Sequence, residues 1–293
     1  MTNAEEITTA QAPFDDHNCD IILRSSNGVD FHVFKLILSL VSPVFKKMFT
    51  LPQPDVSSVP VIPLTEGSTT LESLLLLCYP ATTPTFNSLD DAKAVMEAAR
   101  KYDMQAALDC AGDLTIVQFL PDHCLELYAL SCRFGWQHHA QTAAFRALEI
   151  KDLGRPSNGF NGMKDITADD YHRLLVYHYK CGDAVQKVGT SLSWLQLSSG
   201  EVGIASFRTR EIGRMVMKNV PWFDEYLVLS GKELSARPCE STLLESKSYD
   251  NAIINATKCV DCRSTVVDDM HRFRALYIAQ VKKVLAAEKL AVS

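Results

Sequence analysis

The chain has 293 residues, 47% of them hydrophobic and 22% charged, with 13 Gly and 12 Pro. That is the make-up of a packed protein of about two domains at roughly 150 residues each, and it excludes collagen-like and disordered chains. The net charge of −6 is uneven, with 7 Lys+Arg against 15 Asp+Glu in residues 1–118 and 22 against 20 in residues 119–293; neither half has the basic stripe that phosphate binding needs, so direct nucleic-acid binding is not expected.

Residues 1–16 lack periodicity and read as a flexible tail. The next run, Cys19 to Phe34, is two β-prone segments around Asn27-Gly28, the dipeptide of a type I′ turn, and predicts a hairpin. After Lys35 come Leu36, Ile37, Leu38, Leu40 and Val41, then Ser42-Pro43, a capping residue followed by a residue suited to the first helical position. Val44, Phe45, Met48 and Phe49 complete a second short helix.

A Pro-rich loop leads to Val61-Ile-Pro-Leu64, which Pro63 restricts to a sheet edge. Thr69-x-x-Glu72 reads as a capping box for a helix over 71–79, and Ser88-x-x-Asp91 as one for a helix carrying Ala92, Val95, Met96 and Ala99. A further helix carries Ala107, Leu108, Ala111 and Leu114. Strands and helices mixed in this order within about 100 residues define an α+β domain.

The run Asp20-Ile-Ile-Leu, Phe31-x-Val-Phe-Lys35-x-x-Leu38-x-x-x-Ser42-Pro-Val-Phe45-x-x-Met-Phe49, Ile62-x-Leu64 and the Leu-rich helix to Tyr79 resembles a BTB/POZ domain over residues 17–118. Phe34 stands where that family usually has His before the Lys. The resemblance implies a protein-interaction fold, commonly a homodimer, with the contact made by the first strand and the adjacent short helices. On that basis Asp20, Ile21, Leu23, Lys35, Leu36 and Leu40 are the expected dimer-interface residues. Asp20 and Lys35 match the acidic and basic positions that line a charged pocket in the family. Members also serve as substrate adaptors of cullin-RING ubiquitin ligases, typically through an apolar residue, a spacer and Glu in the loop after the Phe-rich helix. Here that loop, residues 50–59, contains no Glu.

From Pro121 the chain reads as an all-helical domain, residues 119–293. Cys124, Leu125, Leu127, Tyr128 and Leu130 give one face ended near Gly135; Ala140, Ala143, Ala144, Ala147 and Leu148 give the next. A Gly-, Pro- and Asn-rich loop over 154–162 precedes a helix opened by Thr167-x-x-Asp170, and a long amphipathic helix spans 266–291. The whole resembles the BTB proteins that form an expanded set in fungi and carry a helical C-terminal region.

No phosphate-binding glycine loop, nucleophile elbow or His-Glu-x-x-His frame is present, and a non-enzymatic protein is expected. His138-His139 reads as a solvated pair, since adjacent helical residues point about 100° apart. Cys259-Val-Asp-Cys262 has zinc-ligand spacing and, with Cys239 and His271, could complete a Cys3His structural site; Cys181 is a further candidate, and buried or free thiols are the plainer reading. Apart from that structural zinc no cofactor is expected. Trp222 and Phe223, with Tyr226 and Leu227, read as core packing. The longest apolar run, residues 74–79, falls far short of the roughly 20 residues of a membrane span. The acidic N-terminus lacks an apolar leader, and nine scattered cysteines suit a reducing compartment. Together these predict an intracellular protein, cytoplasmic or nuclear, whose partners are itself, as a homodimer, and other proteins, with no membrane association.

Overall fold

The computed structural model describes residues 7–51, 59–79, 83–195, 220–260 and 262–291. The chain divides into two compact units, residues 1–120 and 121–293.

In the first unit a four-stranded mixed sheet runs in the order β1-β3-β2-β4: β1 is Thr8–Thr9, β2 Ile21–Arg24, β3 Val29–Val33 and β4 Val61–Pro63. β2 and β3 form the expected antiparallel hairpin, with Leu23 opposite Phe31, while β1 lies parallel to β3 and β4 parallel to β2. The period-2 alternation places Ile21, Leu23, Phe31 and Val33 in the core. Pro63 is accommodated because β4 is an edge strand.

The helices of this unit are α1 (Lys35–Val41), α2 (Pro43–Phe49), α3 (Ser68–Leu76), α4 (Leu89–Lys101) and α5 (Gln105–Phe119). The Ser42 hydroxyl accepts from the Phe45 N–H at 3.1 Å and donates to the Tyr102 carbonyl at 2.5 Å, so one side chain starts α2 and ties it to the end of α4. Ser88 caps α4 as its sequence predicts, through the Asp91 N–H at 3.1 Å. Ala92, Val95, Met96 and Ala99 all point inward, as does Leu71 of α3.

Three local expectations are corrected. Residues 1–16 are not a tail throughout: the Thr8 N–H donates to Gly28 O at 3.0 Å, and Phe14 is buried with its ring 5.8 Å from Phe31 and 5.3 Å from Tyr79. A two-residue strand and a single aromatic anchor leave no periodic signal in the sequence. The hairpin loop is not a type I′ turn. The Gly28 N–H closes a turn onto Ser25 O at 3.1 Å, and only Gly28 takes a positive φ, of 81°. Asn27 is thereby free to cap α3, its Oδ1 accepting from the Ser68 N–H at 2.8 Å and its Nδ2 donating to Ser68 Oγ at 2.9 Å. The expected capping box at Thr69 does not form, because the helix begins at Ser68, after Gly67, which puts Thr69 inside its first turn.

The second unit is helical: α6 (Cys124–Phe134), α7 (Gln137–Arg146), α8 (Ala168–Thr190), α9 (Pro221–Ala236), α10 (Glu240–Leu244), α11 (Lys247–Thr257) and α12 (Val266–Ala287). α6 ends at Gly135, whose φ of 73° no side-chain-bearing residue adopts easily. Thr167 caps α8 through the Asp170 N–H at 3.1 Å. α8 packs on α9 and α12, and its small residues permit this: a Cβ on Gly182 would lie 2.5 Å from the Ser235 carbonyl oxygen of α9. The centre of the unit is an aromatic cluster in which Phe273 of α12 meets Phe223 at 5.0 Å and Tyr277 at 5.5 Å between ring centroids. Trp222, Phe223 and Tyr226 are buried, as core packing requires.

Candidate interaction surface

α1 is a seven-residue helix held at its start from outside itself. The Phe34 N–H donates to the Tyr79 hydroxyl at 2.9 Å, and the Lys35 N–H donates to Asp20 Oδ1 at 2.7 Å. These two bonds satisfy amides that a helix leaves without internal partners. Leu38 is driven wholly into the core, and the same geometry turns Leu36 and Leu40, four residues apart and therefore on one face, to solvent at 70% and 77% exposure. A single exposed leucine needs no explanation; two on one face of a firmly anchored helix make an apolar surface.

The expected interface set therefore separates. Leu36 and Leu40 form an exposed face. Ile21 and Leu23 do not belong to it: β2 lies between β3 and β4, and both side chains are buried within the unit, at 1% and 0% exposure. Asp20 and Lys35 do meet, through the bond from the Lys35 backbone N–H to the Asp20 carboxylate, and Asp20 stays exposed. Phe45, also apolar in the sequence, is buried and stacks on Tyr102 with 4.7 Å between ring centroids. Residues 52–58, most of the loop in which the cullin-contact glutamate is missing, lie outside the described residues.

The proposed zinc ligands are not gathered. Among the described residues, no three His, Cys, Asp or Glu side chains come together as a metal-holding group, and Cys239, Cys259, Cys262, His271 and Cys181 are all described. Cys239 is buried at the start of α10, its sulfur 3.0 Å from Ser241 Oγ and 3.4 Å from Thr242 Oγ1. His271 lies on the exposed side of α12, away from the buried stripe of Met270, Phe273 and Tyr277. Burial pushes the Cys181 thiol up to about 12, with Glu288 adding to it against the hydrogen bond from Tyr177. No disulfide joins any of the nine cysteines. His138 is exposed, and His139 rests edge-on against Trp136 with 5.4 Å between ring centroids.

The helical unit also carries a groove that no periodic pattern marks, lined by Asp122 and Glu126 at the start of α6 and by Phe160 and Met163 of the segment before α8. The signal for it in the sequence is Phe160 inside the Gly-, Pro- and Asn-rich loop over 154–162 and Met163 directly after it.

A family model for the BTB/POZ domain matches residues 11–117, a span that holds the hairpin, the paired short helices and the anchored α1. The protein is a BTB/POZ domain-containing protein with a helical C-terminal region. The match begins inside the segment that reads as a tail in the sequence, in accord with the burial of Phe14. No curated protein matches the chain. BTB/POZ domains are in general interaction and dimerisation modules. Among the described residues no helix is long and apolar enough to cross a membrane.

Proposed function

We propose that this is a non-enzymatic, intracellular interaction protein. Its BTB/POZ domain pairs with a second copy of the chain through the Leu36 and Leu40 face of α1, and its helical unit holds another protein. The observation that carries the reading is the exposure of those two leucines on a helix whose opposite side is locked into the core. A face of this kind meets its own copy across a two-fold axis, so each leucine is used twice. Sedimentation equilibrium of the full chain tests it. The expected result is a mass twice that of one chain; a single-chain mass at every concentration overturns the pairing.

Service as a cullin-RING substrate adaptor is a narrower form of the same reading, supported by the helical unit that follows the BTB/POZ domain. A pull-down with a cullin N-terminal region separates the two, since pairing alone predicts no capture.

A further inference from the structure

The loop joining α7 to α8 is folded by its own bonds into a wall. The Asn158 carboxamide donates to the carbonyls of Lys151 at 3.1 Å and Asp152 at 2.9 Å. The Arg155 guanidinium reaches the Asp152 carboxylate at 2.8 Å, and the Phe160 ring lies 6.5 Å from that of Tyr171 on α8. Between this wall and the first turn of α6 runs an open groove of about 560 Å³, within the roughly 300–1,000 Å³ of ordinary ligand sites. Its apolar lining comes from Leu125, Ile150, Phe160 and Met163, and its charge from Asp122 and Glu126.

The charge balance stays negative. The amino end of α6 supplies only about half a positive charge against two carboxylates. His123 lies 4.0 Å from Glu126, and Arg146 is bound to Glu149. Cys124 also lines the groove, and burial pushes its thiol up to about 11, Glu126 adding to the rise and Arg146 opposing it, so little of it is thiolate at neutral pH. The groove is thus acidic at its α6 end and apolar along the loop, a lining that favours a cation over an anion.

We infer that this groove is a docking site for a peptide segment of a partner protein in which a lysine or arginine sits beside aliphatic residues. The cation faces Asp122 and Glu126, and the aliphatic side chains cover Phe160, Met163 and Ile150. The inference rests on the helical unit being the half of the protein that holds another chain. A loop held in place before the partner arrives spares the ordering cost of binding, which favours a short segment over a large surface.

The test is fluorescence anisotropy of a fluorescein-labelled hexapeptide of alternating lysine and leucine, titrated with the full chain. Binding is expected, weakening as salt is added, with at least a tenfold loss on Asp122→Asn combined with Glu126→Gln and a several-fold loss on Phe160→Ala. Asp250→Asn with Asp268→Asn changes net charge equally at exposed sites outside the groove and should leave the affinity unchanged. Circular dichroism confirms that each variant is folded. Equal binding of a hexapeptide with glutamate in place of lysine, equal losses in the two charge-matched variants, or no binding at all overturns the inference. The Leu36→Ala, Leu40→Ala variant distinguishes the two proposals: peptide binding that survives in a single-chain protein leaves the groove standing, and a dimer that ignores the peptide leaves only the pairing.

Discussion

Leu40→Ala is the most direct probe of the α1 face. The substitution deletes three carbons, worth about 0.8 kcal/mol each when moved from water into an apolar contact. Leu40 presents 77% of its surface to solvent in the single chain, so burial against a second copy is worth about 1.8 kcal/mol per chain for those carbons. An isologous contact counts the change twice, about 3.5 kcal/mol per dimer, which raises Kd several-hundred-fold. The fold itself should hardly register the change, because the side chain touches little within its own unit and alanine is at least as good a helix former. Analytical ultracentrifugation over a concentration series reads the dissociation constant, and a thermal melt reads the fold. A Kd within a few-fold of the parent, with an unchanged melt, would show that α1 does not form the contact. A lowered melt with no change in association would show that Leu40 packs inside the unit after all.

Removing the loop cap of α3 by Asn27→Ala should destabilise the BTB/POZ unit by about 1 kcal/mol, the usual cost of a lost capping side chain, measured by urea unfolding; Thr69→Ala should cost little, since no Thr69 cap forms at the helix start. Gly182→Ala forces a Cβ to 2.5 Å from the Ser235 carbonyl oxygen and should cost about 1–3 kcal/mol, lowering the melting temperature of the helical unit by several degrees. An unchanged melt would mean that α8 and α9 are less closely packed than described. His178 is buried, with Nε2 2.9 Å from Ile150 O, and desolvation holds its pKa below the ordinary value despite that bond and the nearby Asp152. The unfolded chain then binds the proton more readily than the folded one, so stability is complete above the ordinary histidine range and is lost as pH falls through about 6.5 toward the folded value. His178→Gln should shrink the difference between melts at acidic and neutral pH, and an unaltered difference refutes the assignment.

The sequence by itself determined most of the secondary structure of the BTB/POZ unit. Its signals are local: the Ser42-Pro43 and Ser88 caps, the alternation of Ile21, Leu23, Phe31 and Val33, and the stripe of Ala92, Val95, Met96 and Ala99 each fit within one or two turns of chain. It also identified Leu36 and Leu40 as apolar residues on a short helix, and Trp222 and Phe223 as core. What it could not separate was which apolar residues the unit keeps for itself. Ile21 and Leu40 look alike in a pattern, and only the placement of β2 between β3 and β4 buries one while the anchoring of α1 by Asp20 and Tyr79 exposes the other.

The same limit governed the remaining sites. Cys259 and Cys262 keep their spacing in any fold, but a zinc site needs ligands from distant segments, and Cys239 turns to the hydroxyls at the start of α10 while His271 faces outward. The capping of α3 by Asn27, forty-one residues earlier, and the placing of Asp122 and Glu126 on the same groove as Phe160 and Met163 likewise join distant parts of the chain. Local propensity acts over a few residues and can be read along the chain. Burial and the joining of remote side chains depend on how whole elements pack, and that was decided only in the tertiary structure.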